Sequence, residues 1–213
     1  MRHFLLILLL SAFGLSYGQT GHFYPSERFS SGLINDVCQD KHGYIWIATE
    51  NGLNKFDGYR FTTYLHQSGD ATTLSSNIVV KLFCDSHGRL WVGTRMGLSC
   101  YDYASDRFIE YPFPENETPR VISMLERQNG DLLVGTSGRG VYKLDNDSLK
   151  KIPGGYTSGG GNWYFNQMME DRKGRFWKCG YGEEVTFMEN GEVHQLYVEK
   201  GIVIKMAEVG MRY

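Results

Sequence analysis

Charge of one sign is missing from this chain: 22 Lys and Arg stand against 24 Asp and Glu, a net charge of −2. A surface that holds phosphates needs clustered excess Lys and Arg, so no nucleic-acid partner is expected. Long hydrophobic runs are also scarce. Beyond the first fifteen residues nothing approaches the roughly 18 consecutive apolar residues that cross a bilayer as a helix. Cysteine is scarce too. Cys38, Cys84, Cys100 and Cys179 include no Cys-x-x-Cys pair and lack the spacing of a zinc site or a disulfide framework, so no structural disulfide is expected. Cys38 stands at a strand position that is apolar elsewhere and reads as a small buried side chain. What is abundant is glycine, 26 residues, and aromatics, 14% of the chain. Disordered chains are poor in aromatics, so this one folds, and the mixture favours short strands and tight turns.

The amino terminus sets the compartment. Met1-Arg2-His3 is a positive head, Phe4 to Leu10 is an unbroken apolar run, and Ser16-Tyr17-Gly18 places small residues before Gln19. This is the layout of a cleaved secretory signal over 1–18. No Cys stands at the cleavage point, so a lipid anchor is not expected. The mature chain is expected to be exported, in a compartment that permits disulfides.

A repeat dominates the rest. Asp40–Thr49 (DKHGYIWIAT) returns as Asp85–Thr94 (DSHGRLWVGT), as Arg127–Thr136 (RQNGDLLVGT) and more loosely as Asp171–Gly180 (DRKGRFWKCG). Gly43, Gly88, Gly130 and Gly174 recur every 42 to 45 residues. The downstream halves agree as well: Gly52-Leu53 with Phe56-Asp57, Gly97-Leu98 with Tyr101-Asp102, and Gly140-Val141 with Leu144-Asp145, decaying in the fourth copy to Val185 and Met188-Glu189. Each copy reads as a first strand, a two-residue turn ending in Gly, a second strand alternating large and small residues, a Gly-Leu turn, and two further strands. Four antiparallel strands per 40–50 residues predict an all-β propeller. Trp46, Trp91 and Trp177, with Leu133 as the fourth occupant, are read as packing between sheets. The Asp three residues before the turn glycine, present in all copies but the third, is read as a turn-fixing acceptor rather than a catalytic acid.

The string Ile45–Phe61 (IWIATENGLNKFDGYRF), followed by Leu74–Asn77 (LSSN) and Leu90–Thr94 (LWVGT), resembles the two-component regulator propeller repeat. That resemblance covers about 32 to 198. It implies the periplasmic sensor of a hybrid two-component receptor, held in the inner membrane, that detects glycan fragments and controls polysaccharide-utilisation genes. Expected boundaries are a signal peptide at 1–18, a strand at 19–31 that closes the ring, blades at 32–73, 74–118, 119–161 and 162–200, and the truncated start of a fifth blade at 201–213. With about four blades the propeller is incomplete, and the chain reads as the N-terminal fragment of its receptor. Its partners would be an oligosaccharide, anionic in one form, and the rest of the receptor chain; association of bare blade faces would give a homodimer.

The repeat places the second-to-third-strand turns and the connections between blades on one end. Arg95, Arg139, Trp163 and Tyr181 fall there, and guanidinium forks with aromatic faces suit an acidic sugar. The fragment itself is not expected to be an enzyme, although a kinase would follow in the parent receptor. Gly135–Arg139 lacks the last glycine of a nucleophile elbow. Gly154–Gly161 lacks the Lys-Ser/Thr of a phosphate loop. Asp145-Asn-Asp147 lacks the glycine of a calcium loop, where Lys150 stands. His42 and His87 sit at turn tips with no third zinc ligand in the sequence pattern. No cofactor and no metal are expected. A secreted propeller lyase or hydrolase, and a propeller scaffold for protein partners, stay open on the residues alone.

Overall fold

The computed structural model describes residues 30–152, 165–180, 184–189 and 192–197. The leader, the strand expected before Ser30, the glycine-rich stretch 154–161 and the tail 201–213 lie outside the described residues. Sixteen strands form four sheets of four. The first holds β1 (Ile34–Gln39), β2 (Ile45–Thr49), β3 (Gly52–Phe56) and β4 (Phe61–Tyr64). The second holds β5 (Val79–Cys84), β6 (Leu90–Thr94), β7 (Gly97–Asp102) and β8 (Arg107–Tyr111). The third holds β9 (Val121–Glu126), β10 (Leu132–Thr136), β11 (Gly140–Asp145) and β12 (Ser148–Lys151). The fourth holds β13 (Phe165–Glu170), β14 (Phe176–Gly180), β15 (Glu184–Glu189) and β16 (Glu192–Tyr197). All neighbours are antiparallel and follow chain order, and no α-helix occurs among the described residues. The decayed fourth copy still completes its sheet.

The first hairpin of each sheet is wider than the two-residue turn expected. Asp40 N donates to Tyr44 O at 3.0 Å and Gly43 N to Asp40 O at 3.0 Å, so residues 40–44 form the loop. Side-chain oxygens fill the loop, from an Asp in three sheets and from Asn129, which accepts from Asp131 N at 3.1 Å, in the third. Asp40 Oδ1 accepts from His42 N (2.9 Å) and Tyr44 N (3.0 Å), filling the loop with bonds that a tighter turn would not offer. Gly43 takes φ +85°, where a Cβ would be strained. Asp40 Oδ2 then accepts the Trp46 indole N–H at 2.7 Å, and Asp85 and Asp171 do the same for Trp91 and Trp177, each at 2.9 Å. The aspartates are therefore structural acceptors.

Packing runs forward from sheet to sheet. Trp46, Ala48 and Leu53 of the first sheet cluster with Val79, Leu82, Leu90 and Val92 of the second. Trp91 and Leu98 of the second cluster with Val121, Met124, Leu132 and Val134 of the third, and Leu133 with Met168 and Phe176 of the fourth. The second strands β2, β6 and β10 are thus buried on both faces, and β6 and β10 are buried at every residue. The first strands of successive sheets touch, β1 against β5, β5 against β9 and β9 against β13, which gathers them along one axis. Each first strand carries a register shift against its partner at the same place, at Ile34/Asp36, Val79/Lys81, Gly135/Thr136 (opposite Val121/Ser123) and Phe165/Gln167. Such a bulge bends a strand and sharpens its twist, as crowding around an axis requires. The arc is open at its first sheet: Ile34 and Val37 are 50% and 52% exposed, whereas the repeat equivalents of Val37 (Leu82, Met124 and Met168) are 4–6% exposed.

Candidate functional site

At the end opposite the Asp hairpins, the β2–β3 turn and its equivalents are tied to the incoming connections. Glu50 N donates to Leu33 O (3.1 Å), Arg95 N to Ile78 O (2.9 Å) and Ser137 N to Arg120 O (2.9 Å). Beneath each turn a buried threonine hydroxyl donates to the carbonyl of the following glycine: Thr49 to Gly52 (2.8 Å), Thr94 to Gly97 (3.2 Å) and Thr136 to Gly140 (2.7 Å). Ser30 and Ser75 hydroxyls bond Thr49 and Thr94 in turn, at 3.1 and 2.8 Å. Side chains at this end therefore stand on fixed turns.

The β4–β5 connection is longer than the other described one and folds on itself. Asp70 Oδ1 accepts from Thr72 N (2.9 Å) and Thr72 Oγ1 (2.6 Å), and Gln67 N donates to Thr73 Oγ1 (3.0 Å). His66 Nδ1 faces Leu74 O at 2.6 Å and so carries its proton there. Between this loop and Met96, Glu110 and Thr118 lies a groove of about 340 Å³. Its charged walls are the carboxylates of Asp70 and Glu110, with hydroxyls from Thr73, Ser75 and Thr118. Asp70, Thr73 and Ser75 already make bonds within the loop and to Thr94, and the two carboxylates repel an anion. A second groove, about 320 Å³, lies at the hairpin end, but its carboxylates are spent: Glu126 on Ser86 and Glu170 on Arg127 and Gln128.

Arg95 and Arg139 occupy equivalent turns of consecutive sheets, at the same end, and both are exposed. Arg95 adjoins Met96 at the groove. Arg139 is engaged: its guanidinium pairs with Glu117 at 2.9 Å, and the other oxygen of Glu117 accepts the Tyr142 hydroxyl at 2.9 Å. Burial and that bond to Glu117 push the Tyr142 phenol above its ordinary range. Trp163 and Tyr181 lie outside the described residues. The groove escaped sequence reasoning because it is built by a connection that does not repeat. The one signal was length, Leu65 to Ile78 against Pro112 to Arg120.

The two-component regulator propeller family matches residues 28–51 and 73–96. A stretch of 53 residues is 42% identical to Histidine kinase P4 of Formosa agariphila, covering 25% of this chain and 4% of the kinase. The solved extracellular domain assigned to a hybrid two component system of B. thetaiotaomicron matches with TM-score 0.71 at 24% identity, over 82% of this chain and 26% of that one. Virginiamycin B lyase from Staphylococcus aureus matches with TM-score 0.59 at 15% identity, over 78% of this chain and 56% of the lyase. The chain thus spans a small part of the kinase and about a quarter of the solved extracellular domain. The stretches that match the family hold β1 and β2 of the first sheet and β5 and β6 of the second.

Proposed function

We propose that this chain is the extracytoplasmic sensing propeller of a hybrid two-component receptor, exported behind a cleaved leader into the periplasm, and that it binds glycan fragments without transforming them. The repeat at 28–51 and 73–96 carries the receptor reading, and the local 42% identity to a histidine kinase supports it. Detection belongs to this chain. Phosphotransfer and control of polysaccharide-utilisation genes belong to the rest of the receptor.

The ligand end is the one bearing the groove. Glu110 and Thr118 would bond ring hydroxyls, Met96 would meet an apolar sugar face, and Arg95 at the rim would take a uronate or sulfate. Arg139 contributes less in this reading, because it must first release Glu117. Trp163 and Tyr181, from the fourth copy, are proposed as stacking faces.

Calorimetric titration of the chain with neutral and uronic-acid oligosaccharides tests this. A charged hydrogen bond contributes about 1.5–3 kcal/mol, so the Arg95→Ala, Arg139→Ala double variant is expected to weaken uronate binding at least about tenfold and spare neutral ligands. Glu110→Gln should weaken both. Unchanged uronate affinity in the double variant sinks the arginine assignment, and absence of any oligosaccharide binding sinks the glycan reading. Turnover of a polysaccharide would favour a lyase, on the same fold as the virginiamycin enzyme.

A further inference from the structure

The sheets are clasped to one another at one recurring place, four residues before the turn glycine. Glu126 stands there in the third sheet and reaches back to the second, where its carboxylate accepts from Ser86 N (2.7 Å) and Ser86 Oγ (2.6 Å). Glu170 stands there in the fourth sheet and reaches back to the third, accepting from Gln128 N (2.6 Å) and from the Arg127 guanidinium (2.6 and 2.9 Å). Ser86 and Gln128 are themselves equivalent, each two residues before its turn glycine. In the second sheet this position is Cys84, which has no carboxylate to offer the first sheet. Its sulfur lies instead 3.4 Å from that of Cys38 on β1, a residue whose equivalents are Phe83, Leu125 and Met169.

We propose that Cys38 and Cys84 form a disulfide that clasps the first sheet to the second, in place of the carboxylate clasp used at the two later seams. The two sulfurs are in contact, on first strands that already pack against each other, and both residues are half-buried rather than sealed. Cys100, on β7 of the second sheet, and Cys179, on β14 of the fourth, are buried and have no such neighbour among the described residues. Either sulfur can donate to the other and so ease its neighbour's ionisation, and the exchange balances alike from either side; from Cys84 it runs in two attacks. The Cys84 thiolate attacks one sulfur of a disulfide oxidant, forming a mixed disulfide and expelling one thiolate. Cys38, losing its proton to solvent, then attacks the Cys84 sulfur and expels the second thiolate. The two cysteines give up two electrons and two protons, and the oxidant becomes two thiols. The proposal borrows from the extracytoplasmic reading only the source of that oxidant.

The test uses the full chain, purified with reductant and then exposed to oxidised glutathione. Denaturation, alkylation and peptide mass spectrometry should find 38 linked to 84, with 100 and 179 alkylated. The oxidised chain should unfold roughly 5–15 °C above the reduced one, and Cys84→Ser should show no effect of reductant. Four alkylated cysteines, or a linkage to 100 or 179, overturns the proposal. Should Cys84→Ser fail to fold, the wild-type mapping and its two melting curves decide alone. Linkage with glutathione but free thiols in chain isolated from cells without reductant supports the clasp and counts against the extracytoplasmic reading.

Discussion

A carboxylate folded under a hairpin must find donors for both oxygens, because an unmet partner in the interior loses its water and gains nothing. Asp85 meets that demand with Arg89 N (2.8 Å) on one oxygen and with Arg89 Nε (2.6 Å) and the indole of fully buried Trp91 (2.9 Å) on the other. Asp85→Ala strands the indole N–H, so a loss of about 1–3 kcal/mol is expected in urea unfolding, while Asp85→Asn keeps an acceptor and loses less. Asp171 makes the same set with Arg175, Trp177 and Lys173. Burial works against its ionisation, yet the donors, Trp177 first, bring its carboxyl down from 3.8 to about 2. A depressed folded pKa means stability that is complete above the unfolded value and is lost as pH falls through the folded one. Stability should therefore fall between about pH 4 and pH 2, and Asp171→Asn should shallow that fall. Equal slopes for variant and wild type in denaturant titrations at several pH values would refute the assignment.

At the scale of strands, one seam is closed by the absence of a side chain. Gly93 on β6 sits where an added Cβ would come within 2.6 Å of Val121 Cγ1 and 2.9 Å of its Cβ. The next sheet is that close. Gly93→Ala must push β9 away or force Val121 off its rotamer, which costs about 1–3 kcal/mol. Urea denaturation at unchanged m-value reads the loss directly, and a neutral result would mean that the seam yields freely. The equivalent residue in the first sheet is Ala48, also fully buried, so the first seam accepts one more methyl than the second. Strands and turns were legible in the residues because their signals are local. Gly43 and its equivalents mark the turn, and large-small alternation marks β2, β6 and β10. The bulges in β1, β5, β9 and β13 and the five-residue hairpins were not legible. The bulges answer to twist around a shared axis, which leaves no periodic trace, and the recurring Asp marks each of three turns without fixing the width of the loop, which the third sheet shares with Arg127 in its place. The site divides in the same way. Repeat counting placed Arg95 and Arg139 at turn tips, whereas Glu117, which holds Arg139, comes from a connection with no counterpart.

Over the whole molecule, the same residue position carries different weight depending on whether a sheet precedes it. Val37, Leu82, Met124 and Met168 are equivalent, six residues before the turn glycine. The last three lie against the sheet before them and are 4–6% exposed, but Val37 is 52% exposed with Ile34 at 50% and Leu33 at 69% beside it. Trp177 mirrors this at the far end, half-buried where Trp46 and Trp91 are fully buried. Among the described residues, the outer face of the first sheet is an apolar surface shaped by the repeat to meet another sheet, and an exposed face of that kind favours association. Truncation separates the two cases. Leu82→Ala removes a fully packed side chain and should cost about 2–5 kcal/mol, whereas Val37→Ala should change stability by no more than about 0.5 kcal/mol. Denaturant unfolding of the two variants at one low protein concentration makes the comparison. A large loss at Val37 would mean that its face is covered in solution, and light scattering across a concentration series would then tell a second copy, whose contribution grows with concentration, from a segment of the same chain, whose contribution does not.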